Sequence, residues 1–186
     1  FLNLLQKYSR RHDLELWSYC LMANHFHIVG QPHTRLGLSR CFHDLDGHYA
    51  QYFNFKYGLT GHLWQDRFFG CVLDASHLWN AVRYVENNPK EAGLVVRAED
   101  YRWSSAAAHC GLRADPVLTP NTGFPPPGLI SDWSTWLQGG PTEAEITQIR
   151  RATKRGLPCG SDSFIRQLEA MLGIRLRPLK PGPKRS

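Results

Sequence analysis

The sequence predicts an α+β fold in which a largely antiparallel sheet is combined with helices. Two short apolar runs, residues 14–21 and 25–30, are joined by a turn at Ala23–Asn24, and this pattern indicates a β-hairpin. The segments around the hairpin instead have apolar residues three and four positions apart, which is the period of amphipathic helices. A hairpin among such helices is typical of the α+β class.

One helix is expected before the hairpin and a longer one after it. Residues 1–11 carry apolar side chains at helical spacing, so we expect the end of a helix there. Gln31–Pro32 is expected to end the second strand. From Leu38 to Tyr57 the apolar positions recur every three or four residues, which predicts one amphipathic helix that Gly58 stops.

A loop, a short strand and a third helix are expected next, over residues 61–67, 68–73 and 75–88. Asp74 has the position and the carboxylate of an N-cap, and Pro89 is expected to close the helix because it lacks an N–H. Opposite its apolar stripe this helix has a polar stripe, which consists of His77, Asn80, Tyr84 and Asn88. Tyr84 is therefore expected on the polar side of its helix.

The C-terminal half divides into a linker and a small helical region. Residues 116–128 are rich in proline and glycine, as linkers are. Thr142 and Glu145 have the spacing of a capping box that opens a helix, and a second short helix is expected before Gly173. We therefore predict three parts: a domain over residues 1–115, a linker with a short helix over 116–141, and a helical basic region with a tail over 142–186.

The composition excludes several classes of protein. With 186 residues, of which 42% are hydrophobic, the chain can fill one core of ordinary size. Since no apolar run is long enough to cross a membrane and no signal-peptide pattern opens the chain, we expect a cytoplasmic protein. Five cysteines without a C-x-x-C pair argue against a disulfide framework and against a cysteine-built zinc site.

The formal net charge of +6 is unevenly distributed along the chain. Residues 150–186 contain ten Lys and Arg against two acidic residues, a net charge of +8, which leaves −2 for the rest. A basic end on a nearly neutral body indicates a polyanionic partner, of which nucleic acid is the first choice. A solvated, disordered tail is the alternative for residues 179–186, and it is compatible with phosphate binding.

Four polar residues are candidates for catalysis. His25 and His27 are two positions apart in a strand, so both imidazoles are expected on one face, where they can bind one metal ion or be merely structural. Tyr84 can be a nucleophile if a neighbouring cation helps it to lose its proton, or it can pack with its hydroxyl in water. Asn88, one turn further on, can supply an amide oxygen to the metal or cap the end of the helix.

Two segments are candidates for binding nucleic acid. The loop before residue 68 combines a stacking surface with a phosphate-binding side chain, in Trp64, Gln65 and Arg67. Trp64 can alternatively form a lid over the core. Tyr101–Ser105 can hold the end of a DNA strand or merely close the domain.

Seven motifs follow one another along the chain: YCLMANHFH (19–27), LSR (38–40), YFN (52–54), GHLWQDRF (61–68), RYVENNP (83–89), AGLV (92–95) and YRWSSA (101–106). In this order they resemble the REP-associated tyrosine transposases. These are relatives of the insertion sequence 200 type transposases in the HUH superfamily, where U is a hydrophobic residue. The SDSF segment (161–164) and the basic tail are also similar to that group.

The resemblance implies the fold of the HUH single-tyrosine transposases, a ferredoxin-like antiparallel sheet with helices on one face, with residues 1–115 as the catalytic domain. It implies that His25 and His27, on a central strand, bind a divalent ion such as Mg²⁺ or Mn²⁺ together with Asn88. Tyr84 corresponds to the nucleophile. Because members of the family begin further upstream, we expect the first strand of the sheet to be missing, which leaves an edge unpaired.

The resemblance also implies an activity and a partner. Such transposases cleave and rejoin single-stranded DNA, folded as imperfect hairpins, through a 5′-phosphotyrosine intermediate. The DNA-binding residues of this chain are expected to be Trp64, Gln65, Arg67, Arg83, Arg175, Arg177 and Lys180. We expect a monomer or a homodimer that is associated with the bacterial nucleoid and has no membrane partner.

Two acidic residues depart from the family pattern. Asp44 and Asp46 lie on a predicted helix where relatives often carry a basic residue, and this is expected to weaken contact with DNA. Two other functions stay open. A truncated or domesticated relative can bind hairpins without cleaving them, and a metal-dependent hydrolase can use the two histidines without a covalent step.

Overall fold

The computed structural model describes residues 1–126 and 128–177, which belong to two compact units. The first unit consists of Phe1–Phe68 and Ala81–Pro141, and the second of Phe69–Asn80 and Thr142–Ser186. Lys180 and the predicted tail lie outside the described residues. The predicted three-part division of the chain stays a prediction.

The first unit contains an antiparallel hairpin formed by β1 (Leu14–Leu21) and β2 (Phe26–Pro32). Leu21 pairs with Phe26 next to the turn, and Cys20 pairs with His27. Among the described residues the sheet has these two strands, and helices account for most of the remaining regular structure. The predicted α+β class with an antiparallel sheet is confirmed.

The second strand differs from the prediction at both ends. His25 lies in the turn instead of the strand, because its carbonyl closes the hairpin loop by accepting a hydrogen bond of 2.8 Å from the Met22 N–H. The strand continues through Pro32, whereas we predicted that it would end at Gly30. A proline is tolerated there because β2 is an edge strand of the sheet that the described residues form.

Two helices cover the hairpin, α1 (Leu2–Arg11) and α2 (Gly37–Tyr57), and both were predicted. Gly58 ends α2 in the left-handed conformation, with φ 63°, as the sequence predicted. The apolar core between these helices and the hairpin is closed to solvent, and its fully buried members include Leu5, Tyr8, Leu16, Cys41 and Leu45.

The third helix, α3 (Ala75–Glu91), continues past Pro89, where we had predicted its end. A proline removes one N–H donor and usually interrupts a helix, but here the helical backbone continues to Glu91. The helix ends at Gly93 instead, which has φ 69°. The N–H of Gly93 donates to the Lys90 carbonyl and that of Leu94 to the Pro89 carbonyl, both at 2.9 Å, so the stop is a Schellman motif.

The rest of the first unit has short helices, which are a 3₁₀ turn (Ala98–Asp100), α4 (Ala106–His109) and α5 (Trp133–Gln138). The segment before α4 runs along the second edge of β1. The Leu21 N–H donates to the Trp103 carbonyl at 2.8 Å, and the Ser105 N–H donates to the Tyr19 carbonyl at 3.0 Å. The segment Tyr101–Ser105 therefore closes the domain along the edge of β1.

The second unit contains α6 (Glu143–Arg155) and α7 (Asp162–Leu172). The predicted capping box is present, because the Thr142 hydroxyl accepts from the Glu145 N–H and the Glu145 carboxylate accepts from the Thr142 N–H. Gly173 ends α7 with φ 66°, as predicted. No helix in the described part of the chain is long and apolar enough to cross a membrane.

The beginning of α3 lies in this unit, and its predicted N-cap is confirmed, since Asp74 Oδ1 accepts a hydrogen bond of 2.9 Å from the His77 N–H. The strand predicted over residues 68–73 was wrong. Only a single bridge forms there, between Leu73 and Cys159, because no neighbouring strand continues the ladder. Phe69 is consequently 58% exposed instead of covered by a sheet.

Candidate active site

The hairpin turn brings His25 and His27 together. Their ring centroids are 4.9 Å apart and the rings are nearly perpendicular, at 86°. His25 is exposed, and its Nδ1 lies 2.8 Å from Asn24 Oδ1. Since an amide oxygen can only accept, Nδ1 is the donor in this contact, and Nε2 is the ring nitrogen that could ligate a metal ion.

Tyr84 projects from α3 toward the same histidines. Its ring centroid is 5.3 Å from that of His27, and the rings meet edge to face at 70°. Tyr84 is only 7% exposed, so this part of the predicted polar stripe is buried inside the protein. From Ala81 to Pro89 every residue of the helix except Arg83 is buried.

Asn88 is joined to Tyr84 through the helix backbone. Its Nδ2 donates to the Tyr84 carbonyl at 2.7 Å, and the residue is 8% exposed. With the amide nitrogen used in this way, Oδ1 is the atom of Asn88 that can ligate a metal ion. His25, His27 and Tyr84 are thus in successive ring contact, and Asn88 lies one turn further along the helix.

These residues form a donor set of two imidazoles and one amide oxygen. In the described part of the chain, no group of three or more His, Cys, Asp and Glu is arranged to hold a metal ion. A set of three such donors leaves coordination positions open for water and for phosphate oxygens, as in Mg²⁺ and Mn²⁺ sites that act on phosphates. His25, His27 and Asn88 are therefore the residues that could offer donors to a divalent ion.

Tyr19 lies in the same hairpin as the histidines, but its surroundings differ from those of Tyr84. It is 1% exposed, and its hydroxyl donates to Asp115 Oδ2 at 2.6 Å. Burial and the neighbouring carboxylate raise the pKa of the Tyr19 hydroxyl. A buried phenol that is held in its neutral form by a carboxylate is unsuited to nucleophilic attack.

Behind Tyr84, the carboxylate of Glu86 is completely buried and fully hydrogen-bonded. Oε1 lies 2.7 Å from His109 Nδ1 and also accepts from the Ser105 hydroxyl, while Oε2 accepts from Trp133 Nε1 at 2.8 Å. The Ser18 hydroxyl completes the network at 3.3 Å from Oε1. Glu86 therefore ties α3 to β1, α4 and α5, and so holds the helix that carries Tyr84.

Sequence reasoning missed this network, although one signal was available. Glu86 is four residues after Val82 and one after Val85, so it falls on the apolar stripe of the predicted helix. An ionisable residue on such a stripe must be satisfied inside the protein. The sequence alone does not identify the hydrogen-bond partners of Glu86, because they come from distant parts of the chain.

The loop residues proposed for DNA binding divide into two groups. Gln65 and Arg67 are exposed. The Trp64 ring instead packs against Phe26 and Tyr49, each at a centroid distance of 5.9 Å, and its Nε1 donates to the Asp46 carbonyl at 2.9 Å. Trp64 is thus placed as a lid over the core.

The other three arginines that were predicted to bind DNA also divide into side chains that contact the protein and one that is exposed. The Arg83 guanidinium stacks on Trp136, 4.5 Å from the ring centroid, and donates to the Gly140 carbonyl at 3.2 Å. Arg177 lies 3.6 Å from Glu169 and donates to the Asp162 carbonyl at 3.3 Å. Arg175 is exposed. Lys180 lies outside the described residues.

Residues 1–88 match the model of a family described as transposase IS200 like. The chain matches no curated protein and no solved structure. The matched residues contain the whole of the proposed site, from His25 to Asn88, on a hairpin and a helix that the structure brings into contact. Residues 1–88, just under half of the 186-residue chain, are therefore similar to the IS200-like transposases.

Proposed function

We propose that this chain is a metal-dependent transposase that cleaves and rejoins single-stranded DNA through Tyr84. One observation supports this proposal above the others. His25, His27 and Tyr84 form a continuous series of ring contacts, and all of them lie within the residues that match the family. A tyrosine beside two potential metal ligands is the arrangement that phosphoryl transfer by a phenol requires.

His25, His27 and Asn88 would hold the divalent ion. When bound, Mg²⁺ or Mn²⁺ would neutralise and polarise the scissile phosphate. Asn24 orients the His25 ring through the Nδ1 hydrogen bond, and the pairing of His27 with Cys20 in the hairpin fixes the position of the second ligand. The protein therefore supplies a pair of imidazole nitrogens at the turn end of the hairpin.

Tyr84 would perform the covalent step. Its hydroxyl oxygen attacks the phosphorus, the bond from phosphorus to the 3′ oxygen breaks, and the leaving oxygen takes up a proton as a 3′-hydroxyl. The product is a 5′-phosphotyrosine. In the reverse sense, the 3′-hydroxyl of a second strand end attacks this phosphotyrosine, which restores the phosphodiester and the free tyrosine. The edge-to-face contact with His27 orients the Tyr84 ring for this step.

The exposed side chains of Gln65, Arg67 and Arg175 would contact the DNA backbone. Trp64, Arg83 and Arg177 already contact other parts of the protein, so direct binding by them requires rearrangement. We propose imperfect hairpins of single-stranded DNA, such as repetitive extragenic palindromes, as substrates.

The proposal is tested by trapping the covalent intermediate. The chain is incubated with a labelled single-stranded hairpin and Mn²⁺ and then separated by denaturing electrophoresis. We expect a labelled band at the mass of protein plus DNA for the wild type and none for Tyr84→Phe. This change removes one oxygen and retains the ring contact with His27, so hairpin binding in a gel-shift assay is expected to persist.

Tyr49→Phe is the matched control, because Tyr49 packs in the aromatic cluster of the first unit. It should form the adduct as the wild type does. An adduct that persists in Tyr84→Phe would place the nucleophile elsewhere. Hairpin binding without any adduct in the wild type would instead identify a non-catalytic hairpin-binding protein, and cleavage without an adduct would identify a hydrolase.

A further inference from the structure

The second unit contains a groove of about 590 Å³ between α6, α7 and the segments that follow these two helices. Most of its lining is apolar, and the larger apolar side chains in it are Leu157, Ile165 and Leu176. Arg151 and Arg155 line it from α6. The residues of the candidate active site all belong to the first unit, so the groove is a separate feature of the molecule.

The apolar surface of the groove continues along α7. This helix, which the structure describes throughout, has no buried residue. Leu172 lies two turns after the groove residue Ile165 on the same side of α7, and it is 54% exposed. Ile174, just beyond the helix, is 56% exposed. Apolar side chains that extend an apolar groove in this way are typical of a surface that another molecule covers.

The α6 side of the groove carries positive charge that the protein does not neutralise. Arg151 and Arg155 are exposed and lie one turn apart. Within the described residues, neither arginine forms an ion pair with an acidic side chain. Arg177, the third arginine of the lining, instead lies 3.6 Å from Glu169. The two arginines of α6 are thus available to an acidic ligand.

The positions of the charged residues define the spacing of the groups that the ligand presents. Because a helix rises 1.5 Å per residue, Arg151 and Arg155 are about 6 Å apart along α6. Carboxylates four positions apart on a second helix have the same separation. Glu143, which lines the groove about 12 Å before Arg151 along α6, disfavours a further carboxylate there. The acidic groups of the ligand therefore belong at the arginine end of the groove.

The apolar lining distinguishes a protein ligand from the DNA backbone. Phosphates and sugars are polar, so exposed arginines are enough to bind them and an apolar groove adds nothing. Interfaces between proteins, in contrast, combine an apolar centre with arginines. The chain's own residues 178–186 contain three basic and no acidic side chains, so their charge does not complement this groove.

We propose that this groove binds an acidic amphipathic helix of a partner protein. Apolar side chains of that helix pack against Leu157, Ile165 and Leu176, as in other complexes of a helix with a groove. Two of its carboxylates, four positions apart, pair with Arg151 and Arg155. This inference goes beyond the proposed strand transfer and does not depend on it.

The test measures the binding of labelled synthetic helices to the full chain by fluorescence anisotropy. One peptide carries leucines along one face and two glutamates, four positions apart, at one end. The second peptide has the same charges and has alanine in place of leucine, which keeps the helix but removes the apolar anchors. We expect the wild type to bind the leucine peptide more tightly by roughly tenfold or more, because only leucines fill the groove.

Arg151→Glu should weaken binding of the leucine peptide roughly tenfold, because an attraction becomes a repulsion. Lys154→Glu is the matched control, since Lys154 is exposed on the same helix but does not line the groove. It changes the net charge equally and should alter the affinity by less than about twofold, because salt screens a charge outside the groove. Equal weakening by both changes would overturn the inference, since it would show unspecific attraction to a basic protein.

An unlabelled single-stranded DNA hairpin distinguishes the proposed partner from nucleic acid. In excess, the hairpin should leave the leucine peptide bound. Displacement of the peptide would assign the groove to phosphate binding and overturn the inference, as would equal binding of the two peptides or no binding of either. Circular dichroism should show that Arg151→Glu is folded. The peptide assay needs no metal ion, so its outcome is independent of the phosphotyrosine adduct.

Discussion

His25 and His27 differ in how firmly the protein holds them. His27 is half-buried and packs against Tyr84, so its replacement would change the packing as well as any metal site. His25 is exposed in the hairpin turn, and its side chain bonds to the neighbouring Asn24. His25 is therefore the better residue for testing metal binding without disturbing the fold.

We expect His25→Ala to weaken Mn²⁺ binding by roughly 10- to 100-fold, because one of two imidazole ligands is lost. The free Mn²⁺ signal in electron paramagnetic resonance measures this directly, and adduct formation should require correspondingly more Mn²⁺. His33→Ala is the control, since His33 is also exposed but bonds to Glu15 at 2.8 Å. Unchanged Mn²⁺ affinity in His25→Ala would exclude His25 as a ligand.

The raised pKa of Asp46 predicts how the stability of the folded protein depends on pH. Its pKa is raised to about 6 in the folded protein, from an ordinary value of 3.8, because burial disfavours the charge. The folded state thus retains a proton that the unfolded state has lost, and stability falls as the pH rises from about 4 to 6. Asp46→Asn carries no such charge, so it should melt at a higher temperature than the wild type at pH 7.5.

The difference in melting temperature between this variant and the wild type should disappear near pH 4. Asp44→Asn should instead melt at a lower temperature than the wild type at neutral pH. The hydrogen bond from His12 lowers the pKa of Asp44, so the ionised carboxylate stabilises the folded state. A less stable Asp46→Asn at pH 7.5 would show that the protein itself satisfies this carboxylate.

At the scale of elements, α3 carries both the nucleophile candidate and the buried carboxylate that anchors the helix. Tyr84 and Glu86 are two residues apart and face different surroundings, His27 on one side and the network with His109 and Trp133 on the other. The position of Tyr84 relative to the hairpin thus depends on the bonds that Glu86 makes.

Glu86→Gln should lower the free energy of unfolding by about 2–3 kcal/mol, because the amide replaces an acceptor by a donor that faces His109 or Trp133. Urea denaturation measures the change, and the slope of the transition should stay the same. Glu91→Gln, on the exposed end of the same helix, should change the stability by less than about 0.5 kcal/mol. Equal effects of the two changes would contradict an anchoring role for Glu86.

The elements that local sequence determines were predicted well. The helix ends at Gly58 and Gly173 and the helix starts at Asp74 and Thr142 were predicted correctly. A helix cap depends only on residues within one turn, so the local sequence is enough to predict it. The strand over residues 68–73 was wrong because a strand depends on a distant partner. The end of α3 was misplaced because the left-handed Gly93, and not Pro89, determines it.

The candidate site could be predicted only in part for the same reason. His25, His27, Tyr84 and Asn88 were identified from motifs, and the structure brings the two histidines and the tyrosine into contact. The partners of Glu86 are 68, 23 and 47 residues away in the sequence, at Ser18, His109 and Trp133, so no local pattern predicts them. The groove of the second unit likewise exists only once α6 and α7 are folded together.

At the scale of the whole molecule, the excess positive charge and the proposed active site lie in different parts of the chain. Residues 1–88 contain the match to the transposase family and the proposed site. The excess positive charge begins at residue 150, in the second unit. The matched residues and most of the basic residues that could contact phosphates therefore lie in different segments of the chain.

The most direct test of this account is the identification of the residue that becomes covalently attached to DNA. The full chain is incubated with a single-stranded hairpin and Mn²⁺, digested with nuclease and trypsin, and analysed by mass spectrometry. We predict that the added nucleotide mass lies on the peptide of residues 84–90, at Tyr84. A modified tyrosine in any other peptide, or cleaved DNA without a modified peptide, would contradict it.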